Sequence, residues 1–215
     1  MCGRYKLSEK AGTLYELFDI HGEPLELPLR FNIAPTQPIA VIRTPHQLEF
    51  LRWGIRIPNP RAGGFNVRVE SLGAPFYRDS INGRRCLILA DGFYEWRVEG
   101  EGKAAKKQPF LIQRRDGAPF AFAGMWDKVK LKNGELVDAA TILTTTPRGV
   151  AAQVHDRMPV ILPPSALSAW LDPAARYRDL LEPDAATLEL VPVSSHVNKP
   201  ANDDPACAER VEIAR

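Results

Sequence analysis

The sequence predicts an α+β fold: a strongly curved, mostly antiparallel and barrel-like β-sheet flanked by helices. Short apolar or alternating segments separated by turn residues recur through the middle of the chain, as in hairpin-connected strands. Helical patterns occur near both ends. The 19 prolines among 215 residues require much ordered loop between these elements. We expect one domain over residues 1–215, with a loop-rich tail from about residue 200.

The first predicted elements are a helix and a pair of strands. "SEKAGTLYELFDI" predicts a helix capped by Ser8, because Leu14, Leu17 and Phe18 fall on one helical face. "IAVIR" and "QLEFLRW" predict two strands joined by a tight turn at residues 44–46. The continuously apolar "CLILA" predicts a buried strand, and "GFYEW" predicts its continuation into another.

The second half of the chain predicts further hairpins and then helices. "EGEGKAAKK" predicts a solvated loop, and the strands "PFLIQR" and "FAFAGMW" follow on either side of a turn at Asp116-Gly117. Asn133-Gly134, the strongest hairpin signal, links "MWDKVKL" to "DAATILTT". "PSALSAWL" and "ARYRDLL" predict helices, and "SSHVNKPANDDPACAER" predicts a turn-rich tail.

Composition favours a cytoplasmic protein without metal or cofactor. The three cysteines are odd in number and widely spaced, so we expect no disulfide framework and a reducing compartment. The four histidines are scattered, and no spacing resembles a zinc site. No apolar run approaches the roughly 18 residues of a membrane span, and we expect no signal peptide.

The charge distribution is compatible with a polyanionic partner. The net charge is only +2, but residues 61–115 hold 11 Lys/Arg against 6 Asp/Glu, whereas residues 116–215 hold 10 against 14. Phosphate contacts need basic residues gathered in one region rather than a high overall charge. An ordinary solvated surface gives the same counts, so charge alone does not decide between the two interpretations.

The opening "MCGRY" places a cysteine where removal of Met1 would make it N-terminal. Cys2 would then carry an α-amine and a thiol, with ordinary pKa values of about 8 and about 8.5. Both groups would be partly available as nucleophiles at neutral pH. The alternative is a small buried residue near a chain end that happens to be cysteine.

Two titratable residues stand among apolar neighbours. Glu95 lies between Tyr94 and Trp96, and such surroundings raise the pKa of a carboxyl group into the range suited to proton transfer. The alternative is a strand glutamate that points outward by alternation. His155 begins "HDRMPVIL", directly before an apolar strand, and a lone histidine is more often structural than catalytic.

Asn66 and Arg68 form a second pair of candidates, in "FNVRVES". Residues two apart in an extended segment face the same side. An amide that orients a reactant and a guanidinium that binds phosphate would make a useful pair on one surface. The alternative is a solvent-facing polar row on an edge strand.

A set of motifs in fixed order resembles one known family. "MCGRY", "RFNIAPTQ", "RWGI", "NVRVES", "RRCLILADGFYEW", "KQPF", "FAGMWD", "TILTT", "VHDRMPVIL" and "VSSHVN" occur in the order found in the SOS-response-associated peptidase (SRAP) family of abasic-site processing proteins. The match runs from residue 2 to about residue 200. The combination of "MCGR", "ADGFYEW" and "HDRMP" is specific, although each motif alone is not.

The resemblance implies covalent capture of abasic sites in single-stranded DNA. In similar proteins the N-terminal cysteine attacks the ring-opened aldehyde, forming a Schiff base through its amine and then a thiazolidine through its thiol. The family is also credited with removing its own initiator methionine. We therefore expect a monomer with autopeptidase and lyase-like Schiff-base chemistry that binds abasic single-stranded DNA, without a cofactor and away from membranes.

The resemblance also implies roles for individual residues. Beside the nucleophile Cys2, Asn66 matches an asparagine at the reacting terminus, and Glu95 matches a proton-shuttling glutamate. His155 matches a histidine that assists sugar ring opening and reversal of the adduct. Five residues match the DNA path, three arginines holding phosphates and two residues lining the path: Arg4, Arg68, Arg157, Pro35 and Thr144.

One segment departs from the family pattern. Many relatives have tryptophans shortly after the "WG" motif, whereas this chain reads "WGIRIPNPRAGG", with Pro60 and Arg61 in that neighbourhood. Stacking contributes roughly 1–3 kcal/mol per base. We therefore expect weaker or more electrostatic DNA contacts there, with the covalent chemistry unaffected.

Two other functions start from the same residues. Class II glutamine amidotransferases also begin Met-Cys-Gly and use an N-terminal cysteine, but their glutamine-binding motifs are not apparent here. A non-catalytic single-stranded nucleic-acid binding module, with an incidental cysteine, is the third interpretation. The ordered motifs rank the SRAP interpretation ahead of both.

Overall fold

The structure is an α+β fold of two sheets and short helices. The computed structural model describes residues 2–44, 47–55, 64–100 and 105–213. The helices within these ranges are α1 (Ala11–Leu17), α2 (Arg78–Gly83) and α3 (Leu167–Leu171). The strands are β1 (Tyr5–Leu7), β2 (Arg30–Ile33), β3 (Pro38–Thr44), β4 (Gln47–Trp53), β5 (Asn66–Arg68), β6 (Arg85–Ala90), β7 (Gly92–Glu99), β8 (Lys106–Arg114), β9 (Phe120–Lys130), β10 (Leu136–Thr145), β11 (Met158–Pro159), β12 (Ile161–Leu162) and β13 (Leu188–Pro192).

Five strands close into a ring in the order β3, β4, β10, β9 and β6. The ring is closed because β10 pairs in parallel with β4 on one side and antiparallel with β9 on the other. The remaining neighbours in the ring are antiparallel. The short strand β5 also pairs in parallel with β10, beyond the end of β4. The predicted α+β fold with a barrel-like, mostly antiparallel sheet is confirmed.

A second, wholly antiparallel sheet has the strand order β13, β8, β7, β1 and β2. Only Asp91 separates ring strand β6 from β7, so the chain steps directly from one sheet into the other. The Asp91 carboxylate lies 2.9 Å from Lys6 Nζ and accepts the backbone N–H of Ser8 at 2.7 Å. This junction ties the N-terminal strand β1 to the ring.

Aromatic side chains join the two sheets in one core. Tyr5 of β1 packs edge-on against Trp53 of β4, with ring centroids 5.2 Å apart, and against Phe122 of β9 at 5.8 Å. Phe93 of β7 contacts Phe122 in the same way at 6.0 Å. All four rings are buried, and such edge-to-face pairs stabilise a core beyond the area they bury.

The predicted cap of the first helix is wrong. Lys10 occupies the position before α1 and makes no side-chain cap, whereas the Ser8 hydroxyl donates a hydrogen bond to Asp91 at 2.9 Å. Leu14 is buried as predicted, but Leu17 is 49% exposed. Ser8 is unavailable as a cap because the junction between the sheets uses its backbone and side chain together.

Several other predicted elements are confirmed. β6 is buried at every position, and β9 and β10 form the hairpin predicted from Asn133-Gly134, with Gly134 at a φ of +88°. The tail from residue 194 consists of turns and 3-10 helices. "ARYRDLL", by contrast, forms only a 3-10 helix over Tyr177–Leu180.

Two predicted loops lie partly outside the described residues. Residues 45 and 46 of the turn between β3 and β4 are outside them, as are residues 101–104 of the lysine-rich loop. The rest of that loop is shorter than predicted, because β7 continues to Glu99 and β8 already begins at Lys106. Among the described helices, each is too short to cross a membrane.

Candidate active site at the N-terminus

Cys2 lies inside the protein. It precedes β1, which is paired on both sides, and its side chain is fully buried. The thiol donates to the carbonyl oxygen of Arg4 at 3.7 Å, and the amide of Asn66 donates to the carbonyl oxygen of Cys2 at 2.6 Å. The backbone around the cysteine is therefore held from β5 of the ring.

Burial raises the pKa of the Cys2 thiol well above its ordinary value, and the negative charge of Glu95 raises it further. A thiolate is disfavoured in such surroundings because few groups there solvate the charge. Partial ionisation at neutral pH was expected for Cys2 as the N-terminal residue, whereas in the chain that carries Met1 burial favours the protonated thiol. The sulfur needs a proton acceptor close by in order to react.

Glu95 is a buried carboxyl group, with only 4% of the residue exposed. Desolvation raises its pKa to about 7, and the nearby charge of Asp156 acts in the same direction. The predicted rise in pKa is thus confirmed, and the alternative of an outward-pointing strand glutamate is wrong. Near neutral pH this group both donates and accepts protons.

His155 faces Glu95 across a short gap. The two side chains approach to 4.0 Å between Nε2 and Oε2. Nδ1 lies 2.9 Å from the backbone nitrogen of Arg157, and Nε2 is the ring nitrogen that faces Glu95. Burial lowers the pKa of His155, so the neutral ring predominates at neutral pH. Asp156 Oδ1 lies 2.8 Å from Nδ1 and would accept its hydrogen if the ring became charged.

Asn66 and Arg68 occupy the two ends of β5, on either side of the buried Val67. Asn66 is buried and bonds Cys2, whereas Arg68 is exposed. The alternative of a solvent-facing polar row is therefore wrong for Asn66. The pair places an orienting amide inside the site and a cation at the surface beside it.

Arg157 is buried and held by an ion pair. Its guanidinium donates two hydrogen bonds to the carboxylate of Glu70, at 2.7 and 2.9 Å, and one to the carbonyl oxygen of Thr144. These bonds lower the pKa of Glu70. Thr144 is itself buried on β10, and its hydroxyl donates to Val67 O at 3.5 Å. Arg157 and Thr144 are therefore both buried, with their polar groups directed at protein atoms.

Arg4 and Pro35 lie on the other side of Cys2 along the chain. The Arg4 guanidinium donates to the side chain of Asn32 at 3.1 Å and to the carbonyl oxygen of Val197 at 2.9 Å. Pro35 is half-buried just after β2. Of the five residues predicted on the DNA path, Arg68 is the one with an exposed side chain.

Asn32 is a site residue that the sequence interpretation missed. Its fully buried amide donates to three carbonyl oxygens of the tail, those of Val197, Lys199 and Asn202, at 3.1, 3.0 and 2.7 Å. Asp203 accepts two backbone N–H groups of β2 at 2.6 and 2.8 Å. The motif "RFNIAPTQ" contained Asn32, but its partners lie about 170 residues away in sequence.

An open cleft of about 480 Å³ adjoins the catalytic candidates. Glu95 and His155 line it together with four residues to which the sequence interpretation assigned no role: Trp96, Val98, Lys107 and Asn198. The segment after the "WG" motif, with Pro60 and Arg61, lies outside the described residues.

One group of metal-type ligands comes together in the described part of the tail. Atoms of His196, Asp204 and Cys207 lie within 4.8 Å of one another. The His196 ring bonds Asp204 at 3.0 Å and Asn202 at 3.1 Å, and the Cys207 thiol donates to Asn202 O at 3.3 Å. The three side chains thus form a hydrogen-bonded cluster that closes the tail on itself.

A family model described as "SOS response associated peptidase (SRAP)" matches residues 1–200 of the chain. The chain belongs to the SRAP family. The resemblance inferred from the ordered motifs is therefore confirmed.

Relatives of this SRAP protein share one descriptive name. Abasic site processing protein YoqW of Bacillus subtilis is 35% identical over 226 residues, covering 97% of this chain and 99% of the relative. Abasic site processing protein YedK of Escherichia coli is 29% identical, covering 80% and 79%. Abasic site processing protein HMCES of Gallus gallus is 32% identical, covering 62% of this chain and 45% of the relative.

Solved structures support the same fold for the SRAP chain. A protein from Bacteroides thetaiotaomicron superimposes with a TM-score of 0.79 at 22% identity, covering 98% of this chain and all of that one. A protein from Bordetella bronchiseptica superimposes with a TM-score of 0.73 at 28% identity, covering 90% of this chain and all of that one.

The raised pKa of Glu95 predicts a pH-dependent contribution to stability. The folded state binds this proton more tightly than the unfolded chain, where the pKa is 4.5 rather than about 7. The contribution, about 3 kcal/mol, is fully present below pH 4.5 and is lost as pH rises through 7. In urea unfolding measured from pH 4 to 8, the free energy of unfolding of wild type should therefore fall relative to that of Glu95→Gln as pH rises. If the free energies of unfolding of wild type and Glu95→Gln change with pH in parallel, the pKa of Glu95 is not raised by folding. Glu99→Gln, a substitution on the same strand, is the control and should run parallel to wild type.

Proposed function

We propose that the protein captures abasic sites in single-stranded DNA as a covalent adduct of Cys2 and thereby protects the lesion. One observation carries this proposal. The fold brings Cys2, Asn66, Glu95 and His155 together from distant parts of the chain, the first three buried and His155 half-buried beside Glu95. Relatives that align over nearly the whole chain are named abasic site processing proteins. We infer that one protein molecule acts alone and without a cofactor.

The first step exposes the amine of Cys2. In a chain that carries Met1, the Cys2 nitrogen belongs to a peptide bond and cannot condense with an aldehyde. We infer that Cys2 itself removes Met1: its thiol adds to the Met1 carbonyl carbon, and the Cys2 nitrogen takes up a proton and leaves as the amine. Water then hydrolyses the thioester, which releases methionine and restores the thiol.

The second step joins the amine to the aldehyde carbon of the opened sugar. The nitrogen adds to that carbon and passes one of its protons to the oxygen, and a second proton from an acid lets the oxygen leave as water, which produces a protonated Schiff base. Glu95, with a pKa near 7, holds a proton at neutral pH and lies close enough to Cys2 to influence its pKa. It is therefore suited to supply that proton.

The third step closes the thiazolidine ring. The thiol sulfur bonds to the carbon of the protonated Schiff base, the electron pair of the C=N bond returns to the nitrogen, and the nitrogen keeps its own proton, so no atom leaves the ring. The thiol is protonated because it is buried, and the Glu95 carboxylate left by the previous step can accept its proton. Asn66 keeps the Cys2 backbone in place throughout, through its 2.6 Å hydrogen bond.

His155 supports ring opening and reversal in this scheme. An abasic sugar is mostly a closed hemiacetal, so a proton must move before the aldehyde is exposed. Nε2 of His155 lies 4.0 Å from the Glu95 carboxylate, which lets the two groups exchange protons after a small movement. The same pair can return a proton to the thiazolidine when the adduct opens.

The surface around the site suits a phosphate backbone. Arg68 is exposed directly beside Asn66, so it is the best-supported phosphate contact. Arg4 and Arg157 belong to the same proposed path, with Pro35 and Thr144 along it, but both guanidiniums already bond protein groups. We infer that these two arginines orient the tail and β5 as well as attract phosphate.

Loss of Cys2 should abolish crosslinking to an oligonucleotide with one abasic site. Cys2→Ala removes the sulfur that closes the ring, so no band shift should appear on a denaturing gel. Cys2→Ser, prepared without Met1 because it lacks the thiol that would remove it, retains the amine and should yield a labile Schiff base that is seen only after borohydride reduction. Cys207→Ala, which removes another buried thiol, should crosslink like wild type. Stable crosslinking by Cys2→Ala would exclude the proposed nucleophile.

Substitution of the acid–base pair should affect rates rather than DNA binding. General acid–base groups contribute about 10²–10⁴-fold, so Glu95→Gln should slow adduct formation by that range. Compared with Glu95→Gln, His155→Ala should slow formation of the adduct less and slow release of the DNA from the adduct more. A time course of crosslinking, followed by a chase with unlabelled abasic DNA, measures both phases. Wild-type rates in both phases for both variants would leave these residues with a structural role only.

Arg68 should determine part of the salt dependence of DNA binding. One lost phosphate contact on a single strand lowers the slope of log K against log salt by about 0.7. Arg68→Ala should show this reduction in fluorescence anisotropy titrations at several salt concentrations. Arg176→Ala removes another exposed arginine and should leave the slope unchanged. Equal slopes for wild type and both variants would argue against a phosphate contact at Arg68.

A further inference from the structure

Glu70 and Arg157 form an ion pair at the edge of the candidate site. Glu70 lies in the 3-10 turn Val69–Ser71, two residues after Arg68. Arg157 lies two residues after His155. The two terminal nitrogens of the guanidinium each donate a hydrogen bond to one carboxylate oxygen, at 2.7 and 2.9 Å. The ion pair therefore lies between a residue proposed to bind phosphate and a residue proposed to move protons.

The two partners of this ion pair differ in exposure. The Arg157 side chain is 9% exposed, whereas the Glu70 side chain is 55% exposed. A buried guanidinium needs an anionic partner at all times, because an unpaired buried charge is very costly. A half-exposed carboxylate, by contrast, can move into water at little cost. Glu70 can therefore leave Arg157 if another anion takes its place.

A DNA phosphate matches the position of the Glu70 carboxylate. Carboxylate and phosphodiester groups both offer two oxygens to the paired nitrogens of a guanidinium. The carbonyl oxygen of Thr144 accepts a further hydrogen bond from Arg157, which keeps the guanidinium in place while its other partner changes. The pKa of Glu70 is lowered chiefly by the hydrogen bonds from Arg157 and also by the charge of Arg68. An anion that replaces the carboxylate therefore meets two positive charges.

We propose that the Glu70 carboxylate occupies the phosphate-binding position of Arg157 in the free protein and is displaced when single-stranded DNA binds. The inference rests on the proposed function, in which Arg157 contacts the DNA backbone. An exchange of anions explains why an arginine on the proposed DNA path is already bonded to protein. Glu70 keeps the buried cation paired while DNA is absent, and it lowers the affinity for DNA because it competes with phosphate.

Removal of the Glu70 charge should strengthen DNA binding. A single-stranded oligonucleotide with one tetrahydrofuran residue has no aldehyde, so fluorescence anisotropy measures its binding without crosslinking. Glu70→Gln retains one oxygen for Arg157 but loses the competing charge, and it should bind about fivefold more tightly than wild type. Weaker binding by Glu70→Gln would show that the carboxylate only positions Arg157, and the inference would be wrong.

Asp116→Asn is the matched control for loss of one negative charge. Two nitrogens of Arg114 donate to the Asp116 carboxylate at 2.9 and 2.6 Å, so this ion pair has the same form as that of Glu70. Asp116 lies in the turn between β8 and β9, and Asp116→Asn should bind the oligonucleotide like wild type. An equal gain in affinity for Asp116→Asn and Glu70→Gln would reduce the effect to net charge and exclude the exchange.

A double-mutant cycle separates exchange from simple repulsion between Glu70 and DNA. In an Arg157→Gln background, Glu70→Gln should gain much less than fivefold in affinity, because the cation for which carboxylate and phosphate compete is gone. The same gain in both backgrounds would show that Glu70 acts by repulsion alone, which contradicts the proposal.

The titration of Glu70 in wild type tests the exchange without substitution of the buried arginine. The carboxyl carbon can be followed by ¹³C NMR, with its signal assigned through Glu70→Gln. The pKa of Glu70 should rise when the tetrahydrofuran oligonucleotide binds, because Arg157 then donates to phosphate instead of to the carboxylate. A pKa that is equally low in the free and the bound protein would overturn the inference.

The crosslinking assay with Cys2→Ala is independent of these measurements. Crosslinking of natural abasic sites that depends on Cys2, without any gain in affinity for Glu70→Gln, would overturn the exchange alone. A gain in affinity for Glu70→Gln that depends on Arg157, without crosslinking, would support the exchange and overturn the proposed chemistry.

Discussion

The pairing of β1 with β7 is the constraint on which the candidate site depends. Tyr5 pairs with Phe93, and the N–H of Tyr94 donates to the carbonyl oxygen of Arg4 at 2.9 Å. Continued by one residue, this antiparallel register brings the backbone just after Cys2 beside Glu95. A shift of one residue would turn the Glu95 side chain to the other face of the sheet. The placement of Glu95 beside the N-terminal segment is therefore a consequence of strand register.

Burial then sets the protonation states of the site. Because charged forms are poorly solvated there, the Cys2 thiol keeps its proton, the His155 ring gives up its second proton and stays neutral, and the pKa of Glu95 rises to about 7. Condensation of an amine with an aldehyde needs an acid for the departing water and a base for the incoming thiol. One carboxyl group with a pKa near neutrality can serve both purposes in turn.

Hydrogen-bonded networks around the buried side chains of Asn32 and Arg157 hold the surroundings of the site together. The amide of Asn32 satisfies three tail carbonyls, and the Glu70 carboxylate satisfies the buried Arg157. Loss of one partner in such a network leaves buried polar atoms unpaired, at a cost of about 1–3 kcal/mol each. These networks position β2, β5 and the tail, and through Asn198 they also position Trp96 at the cleft.

Local patterns in the sequence determined the elements and part of the chemistry. The apolar run of β6 and the hairpin at Asn133-Gly134 follow from neighbours along the chain, whereas the raised pKa of Glu95, expected from its aromatic neighbours, comes from burial in the folded protein. Ordered motifs were enough to identify the family. Tertiary structure alone decided the partners: Asn66 bonds Cys2, 64 residues away, and Arg157 bonds Glu70, 87 residues away. Such contacts depend on how strands from distant segments align in a sheet, and residue types and their local spacing do not encode that alignment.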